Sequence, residues 1–283
     1  MKLPKEINYA EAYLTLRCNL ACDYCINNPD DKTKRNRFEL SADVWTKSLN
    51  KIDFGDVQIT LGGGEPSMHK DFFEIINRIK PETKIDLLTN LQFSTKDFIA
   101  NVRPDRFTRS DNPAYKSIRV SYHPTQMDAK EISDKVLELQ TAGFPVGLFG
   151  INHPDAISDN MQMAEIARKK QIYFFVKDFL GEHNGKKYGH LMYEDAVNSP
   201  KQDVVCRSKE FLMAPDGLVY RCHRDLYHAE NPRGSVTLPE RLELYNSLKC
   251  SNYGECNPCD VKLKTNRFLQ AGNCPVEIHK IKK

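Results

Sequence analysis

From residue 9 to about 178, short apolar runs alternate with amphipathic stretches, and this alternation restricts the fold more than any other feature of the chain. The runs at 13–16, 57–61, 85–89, 118–122, 146–151 and 172–176 are short and rich in β-branched or aromatic residues, as strands buried on both faces are. Between them lie helix patterns. Phe72, Ile75, Ile76 and Ile79 stand at i, i+3, i+4 and i+7 and mark one helix face. Ile132, Val136 and Leu139 mark another, closed by Gly143, and Ser41 and Ser158 read as N-caps of two more. Six strands alternating with helices predict a parallel α/β sheet with right-handed crossovers. In such folds the ligand sits beyond the carboxyl ends of the strands.

Two motifs fall at that end. Cys18, Cys22 and Cys25 follow the first strand in the spacing C-x3-C-x2-C, and Gly62-Gly63-Gly64-Glu65-Pro66 follows the second. A [4Fe–4S] cluster normally takes four thiolates. Three on one tight loop leave the fourth iron open to a non-protein ligand, and a small zwitterion suits it, since an amine and a carboxylate chelate together. Tyr24, just before the last cysteine, offers a ring to pack on an adenine or to shield the cluster. Gly62, Gly63 and Gly64 leave no side chain in a ligand's way and have amides that can point at it, while Glu65 can accept from an ammonium. Zinc is the alternative for the cysteines. It asks for four ligands, usually in C-x2-C pairs, and leaves the glycine–glutamate run unexplained.

Together these motifs resemble the radical S-adenosylmethionine (radical SAM) enzymes, whose signature is C-x3-C-x-aromatic-C followed by a G-G-E-P-like run. The resemblance covers roughly the first two thirds of the chain. It implies an α/β fold, a partial six-stranded (β/α)6 barrel open at one side, with a [4Fe–4S] cluster on Cys18, Cys22 and Cys25 and S-adenosyl-L-methionine as its ligand. It implies contact between the glycine run and the methionyl amine. Polar residues at strand ends are implied to hold the ribose hydroxyls and the carboxylate. Ser121 and Asn152 match those places on strands four and five, and Thr89 and Asn90 end strand three as further candidates. In the implied chemistry a donor such as flavodoxin or ferredoxin reduces the cluster and a carbon–sulfur bond of the ligand breaks. The resulting 5′-deoxyadenosyl radical abstracts hydrogen from a substrate. His123, Lys177 and Asp178 are candidate catalytic or substrate-facing groups, with Glu182 and His183 close behind, although a solvated loop accounts for the last four equally well.

No cysteine lies between Cys25 and Cys206, which predicts two metal-binding modules. The turn Pro215-Asp216-Gly217 between the apolar runs 211–214 and 218–220 predicts a hairpin with Cys206 and Cys222 near its ends, set side by side by antiparallel pairing. Cys256-Asn257-Pro258-Cys259 is a C-x2-C knuckle, and such spacing suits zinc and iron–sulfur alike. The order C-x10-G-x4-C, then C-x2-C, resembles the Twitch domain, the one-cluster relative of the SPASM domain. That resemblance implies an auxiliary [4Fe–4S] cluster on Cys206, Cys222, Cys256 and Cys259, with Cys250 and Cys274 left over or exchanged for one of them. The expected organisation is a barrel over 1–180, a connector over 181–202 and a Twitch/SPASM-like domain over 203–283.

A net charge of +3 and a pI near 8.3 do not argue for nucleic acid. No apolar run reaches membrane-spanning length, residues 1–7 lack a signal-peptide core, and nine cysteines read as metal ligands, so the expected compartment is the cytoplasm. Tyr173, Phe174 and Phe175 read as core, His223 and His228 as surface, and residues 279–283 as a solvated tail. The function expected is hydrogen abstraction from a small metabolite, in a dehydrogenase-like oxidation with the auxiliary cluster as electron conduit. One alternative is modification of ribosomally made peptides, by thioether formation, cross-linking or epimerisation. Only 17 residues precede Cys18, which leaves no room there for a leader-binding domain. The other alternative is a non-catalytic iron–sulfur protein, against which the glutamate-bearing glycine run argues.

Overall fold

The computed structural model describes residues 1–27, 36–108, 114–263 and 272–281; the last two residues of the expected tail lie outside them. Six parallel strands run in sequence order: β1 (Tyr9–Thr15), β2 (Ile59–Gly63), β3 (Ile85–Thr89), β4 (Ile118–Ser121), β5 (Val146–Asn152) and β6 (Phe174–Asp178). The five helices between them are α1 (Ala42–Leu49), α2 (Phe72–Arg78), α3 (Thr95–Asn101), α4 (Ala129–Thr141) and α5 (Ile157–Lys169). Their apolar stripes cover one face of the sheet. Ala10, Ala12 and Leu14 of β1 meet Trp45, Ile75, Phe98, Val136 and Met163 in a single core cluster. Phe98 is fully buried among Phe72, Phe93, Phe107 and Phe144, with ring centroids 5.2–6.2 Å away. Each such aromatic pair adds roughly 0.5–1.5 kcal/mol beyond area burial.

Gly143 follows the end of α4 with φ +87°, as expected, while the side-chain caps at the amino-terminal ends fall on residues other than the expected ones. Ser94 and Asp128 cap α3 and α4 through side-chain oxygens that accept from Asp97 N and Glu131 N. Ser41 stands at the N-cap of α1 but makes no side-chain cap bond. Ser158 lies inside α5, because the 3-10 turn Pro154–Ala156 runs directly into that helix. β1 begins four residues before the apolar run that marks it. Glu11 interrupts the pattern, and its carboxylate accepts from the hydroxyl of Tyr9 inside the strand.

The carboxyl-terminal third is built differently from its sequence pattern. Residues 181–202, expected as a plain connector, contain a two-stranded ribbon of β7 (Gly181–His183) and β8 (Lys186–Tyr188). The Pro-Asp-Gly hairpin forms from β10 (Glu210–Met213) and β11 (Val219–Tyr220). It joins the barrel, however: β10 pairs in parallel with β1, giving the order β11-β10-β1-β2-β3-β4-β5-β6. Cys206 lies one strand earlier, in β9 (Gln202–Ser208), between β12 (Leu248–Tyr253) and β13 (Val276–Lys280). There it faces Leu248 and Ile278 across the ladders, so Cys206 and Cys222 are not cross-strand neighbours in a hairpin. Two short helices complete this region, α6 (His223–His228) and α7 (Pro258–Val261).

Candidate functional site

A cavity of about 670 Å³ opens at the carboxyl ends of the barrel strands, and Cys18, Cys22 and Cys25 line it. The loop that carries them is fixed by its neighbours. Cys25 N donates to Cys22 O, and Leu20 N donates to Cys18 Sγ at 3.4 Å. Gln126 clamps the loop from beyond β4: its Oε1 accepts from Ala21 N at 2.7 Å and its Nε2 donates to Cys22 Sγ at 3.3 Å. Nothing in the sequence marked Gln126, which stands 104 residues from Cys22. Burial, then the charge of Cys25 and Cys18 nearby, push the Cys22 thiol up to about 11. Crowded sulfurs that resist ionisation together fit a cationic cluster, which removes that penalty on binding.

The glycine run works otherwise than expected. Gly63 has φ +130°, and a Cβ there would stand 2.0 Å from Thr15 O; at Gly64 it would stand 2.1 Å from Arg17 O. Gly64 N donates to Thr15 O and Glu65 N to Arg17 O, so these two amides hold the root of the cysteine loop rather than pointing at a ligand. Gly63 O accepts from Asn27 Nδ2 at 3.1 Å. Gly62 abuts the Glu11 carboxylate and does not line the cavity, whereas Gly63 and Gly64 do. Glu65 is fully buried and turned inward. Its oxygens accept from Ser67 N, Ser67 Oγ and Thr89 Oγ1, and from Asn90 N at 2.7 Å. Burial raises its carboxyl above the usual range, against these four donors. The carboxylate that was expected to meet an ammonium therefore joins the ends of β2 and β3.

Of the other candidates, Thr89, Asn90, Ser121, His123, Lys177 and Asp178 line the cavity. Asn90 Nδ2 donates to Asn19 Oδ1 at 2.7 Å beside Cys18. Asn152 does not line it: inward positions on β5 are Phe149 and Ile151, and Asn152 is exposed. Strand parity decides this, and a one-residue difference reverses the face. Tyr24 lines the cavity, stacks on His153 at 5.2 Å and meets His123 Nδ1 through its hydroxyl at 3.0 Å. Burial, reinforced by the Lys177 charge, pushes His123 down to about 4, so it is neutral at pH 7. Asp178 is paired with His190 at 2.7 Å. Tyr173 and Phe175, read as core, line the cavity as well, and only Phe174 packs on the core cluster.

Cys206, Cys222, Cys250 and Cys256 line a second, small cavity together with Arg221 and Asp260. Burial and the neighbouring Cys250 push Cys206 up to about 12, and burial also raises Cys222 and Cys256. Cys259, expected among these ligands, lines the large cavity instead, and Cys250 lines the small one. Cys274 is buried, with Sγ 3.7 Å from Asp260 O. His223 is buried, not at the surface, and lines the large cavity between the two cysteine groups. Its Nδ1 is 2.7 Å from Asp260 and 3.4 Å from Glu210. Burial opposes its charge, but Cys259, Glu210 and Asp260 outweigh this and hold it well above the ordinary histidine range. The sequence carries no signal for this trio, whose members come from β10, α6 and α7.

Residues 13–109 match the model of the Radical SAM superfamily. A PqqA peptide cyclase from Rhodopseudomonas palustris is 39% identical over 79 residues, 28% of this chain and 20% of that protein. A probable GTP 3′,8-cyclase from Methanopyrus kandleri is 33% identical over 89 residues, 31% and 28% of the two chains. The GTP 3′,8-cyclase of Campylobacter jejuni subsp. jejuni is 25% identical over 206 residues, 66% of this chain and 60% of the enzyme. The chain thus spans less than two thirds of the length of each. Among solved structures, Streptococcus suis SuiB bound to its precursor peptide SuiA superposes with a TM-score of 0.55 at 12% identity, over 80% of this chain and 62% of SuiB. The protein anSMEcpe with bound AdoMet superposes with a TM-score of 0.55 at 13% identity, over 93% and 89%. At such identities the likeness is one of fold.

Proposed function

We propose that this chain, which belongs to the radical SAM superfamily, cleaves S-adenosylmethionine reductively and takes a hydrogen atom from a small molecule held in the barrel. The observation that carries this reading is the convergence of Cys18, Cys22, Cys25, Gly63, Gly64, Ser121 and His123 on one cavity of about 670 Å³, a volume within the range of ligand-binding pockets. Cys18, Cys22 and Cys25 would hold a [4Fe–4S] cluster, and when bound the cluster and S-adenosylmethionine supply a carbon-centred radical. The rest is done by the chain. Gln126 and the amides of Gly64 and Glu65 fix the cysteine loop. Tyr24, between His123 and His153, closes one side of the cavity to water. His123, neutral and hydrogen-bonded to Tyr24, presents a polar group without a charge to the substrate space.

We assign an auxiliary cluster to Cys206, Cys222, Cys250 and Cys256, in place of the set containing Cys259, because these four share one cavity with Arg221. Four protein thiolates leave no iron open, so its role is electron transfer, which favours net oxidation of the substrate. The similarity to a PqqA peptide cyclase supports a peptide substrate as the second reading. In an anaerobic assay with dithionite, reconstituted protein is expected to release 5′-deoxyadenosine from S-adenosylmethionine, and the Cys18→Ala/Cys22→Ala/Cys25→Ala variant to release none. No product from wild-type protein of full iron content would overturn the proposal in favour of an iron–sulfur carrier.

A further inference from the structure

The inner wall of the barrel beyond the glycine run carries a second pattern. Parallel register sets Arg119 beside Gly147, then Ser121, Phe149 and Phe175 in one row, then Ile151 beside Lys177; Tyr173 stands just before β6, where its carbonyl accepts from Leu148 N. Every member except Gly147 lines the large cavity. Gly147 makes room for the floor, since a Cβ there would stand 2.8 Å from Lys116 Cγ and 3.0 Å from a Tyr173 ring carbon. Lys116 Nζ then lies 5.7 Å from the Tyr173 ring centroid, and Lys177 Nζ lies 4.7 Å from that of Phe149.

The charged side chains that line the cavity are mostly cationic. Among the described residues the cavity is lined by Lys116, Arg119, Lys177 and Lys262 against Glu11 and Asp178. Both carboxylates have named partners, Tyr9 for Glu11 and His190 for Asp178. Arg119 is 7% exposed and held from behind by Asp86, 2.9 Å from one guanidinium nitrogen; Asp86 also accepts from the Tyr115 hydroxyl. An arginine fixed by a buried carboxylate at the back of a cavity is oriented before a ligand arrives, and a guanidinium fork suits a carboxylate or a phosphate. Burial is the main cause of the depressed titration of His123, and the charge of Lys177 adds to it.

Resting on the reading given above, we propose that the substrate is a small molecule bearing an oxyanion, carboxylate or phosphate. Arg119 and Lys177 hold that group, and Phe149, Tyr173 and Phe175 pack its apolar body.

The test uses reconstituted protein loaded with S-adenosylmethionine, so that the ligand's own carboxylate is already placed. Phenyl phosphate, benzoate and neutral benzyl alcohol are titrated in turn by anaerobic calorimetry. At least one anion is expected to bind about tenfold or more tightly than benzyl alcohol, a difference that charge-assisted hydrogen bonds supply. The preferred anion identifies phosphate or carboxylate as the recognised group. Lys177→Gln is expected to remove most of that preference and to leave benzyl alcohol binding in place; Lys116→Gln, at the floor, is expected to reduce it less. Equal binding of all three probes, no anion binding at millimolar concentration, or an unchanged preference in folded, iron-loaded Lys177→Gln would overturn the proposal. Anion preference in a wild-type protein that fails to cleave S-adenosylmethionine would support this subsite and count against the parent reading alone.

Discussion

Gly63 shows how a residue chosen for one reason in sequence serves another in space. Without a side chain it leaves room beside the cavity, and it also lets the end of β2 lie against the carbonyl of Thr15. Gly63→Ala is expected to lose about 3 kcal/mol or more in urea unfolding, from a positive φ and a backbone clash together. Gly55→Ala is the control: φ is +57° there, but a Cβ meets nothing within 4 Å, so about 1 kcal/mol is expected. A second expectation at this scale concerns pH. The folded pKa of His123 is about 4 against 6.5 for the free side chain. Between those values the unfolded chain takes a proton that the folded chain refuses, so stability falls as pH drops from about 6.5 to 4 and is insensitive to this group above 7. His123→Gln should flatten that window by up to about 3 kcal/mol, read from urea midpoints at pH 4.5 and 7.5.

At the scale of elements, β3 stands where its apolar run predicts, while β2 and β6 begin two residues later than theirs. The barrel was legible because buried parallel strands and amphipathic helices have different periods. What periodicity cannot supply is the partner of an edge strand. The hairpin β10–β11 carries an ordinary Pro-Asp-Gly signal, and its place beside β1 follows from two apolar faces meeting, with Tyr9, Tyr13, Leu212 and Tyr220 in one cluster. Arg37 secures this junction. Its guanidinium contacts Asp216 at the hairpin turn at 2.5 Å, Tyr220 Oη at 2.8 Å and Leu226 O in α6 at 2.9 Å. The pair is only 10% and 22% exposed, so Arg37→Ala leaves a largely buried carboxylate behind. A loss of about 2–4 kcal/mol is expected, measurable as a lower urea midpoint.

At the scale of the whole molecule, the two cysteine groups meet the same chain through different geometry. Wild-type protein reconstituted with iron and sulfide is expected to hold about eight irons, and Cys250→Ala to lose the auxiliary share. Cys259→Ala should keep close to the full content, since its sulfur lines the large cavity. The reverse result, loss in Cys259→Ala and retention in Cys250→Ala, would restore the assignment made from spacing; zinc in place of the second four irons would replace the cluster altogether. The chain by itself determined the alternation of strands and helices, the loop bearing Cys18, Cys22 and Cys25, and the shared end of the sheet on which that loop and the glycine run fall. All of these are local or periodic, written within a few turns or one strand. Only tertiary structure decided that Glu65 faces inward, that Asn152 faces outward, that Cys250 rather than Cys259 shares a cavity with Cys206, and that Arg119 and Lys177 line one wall. Those outcomes depend on strand parity and on contacts between residues tens to hundreds of positions apart, for which spacing along a sequence carries no distance.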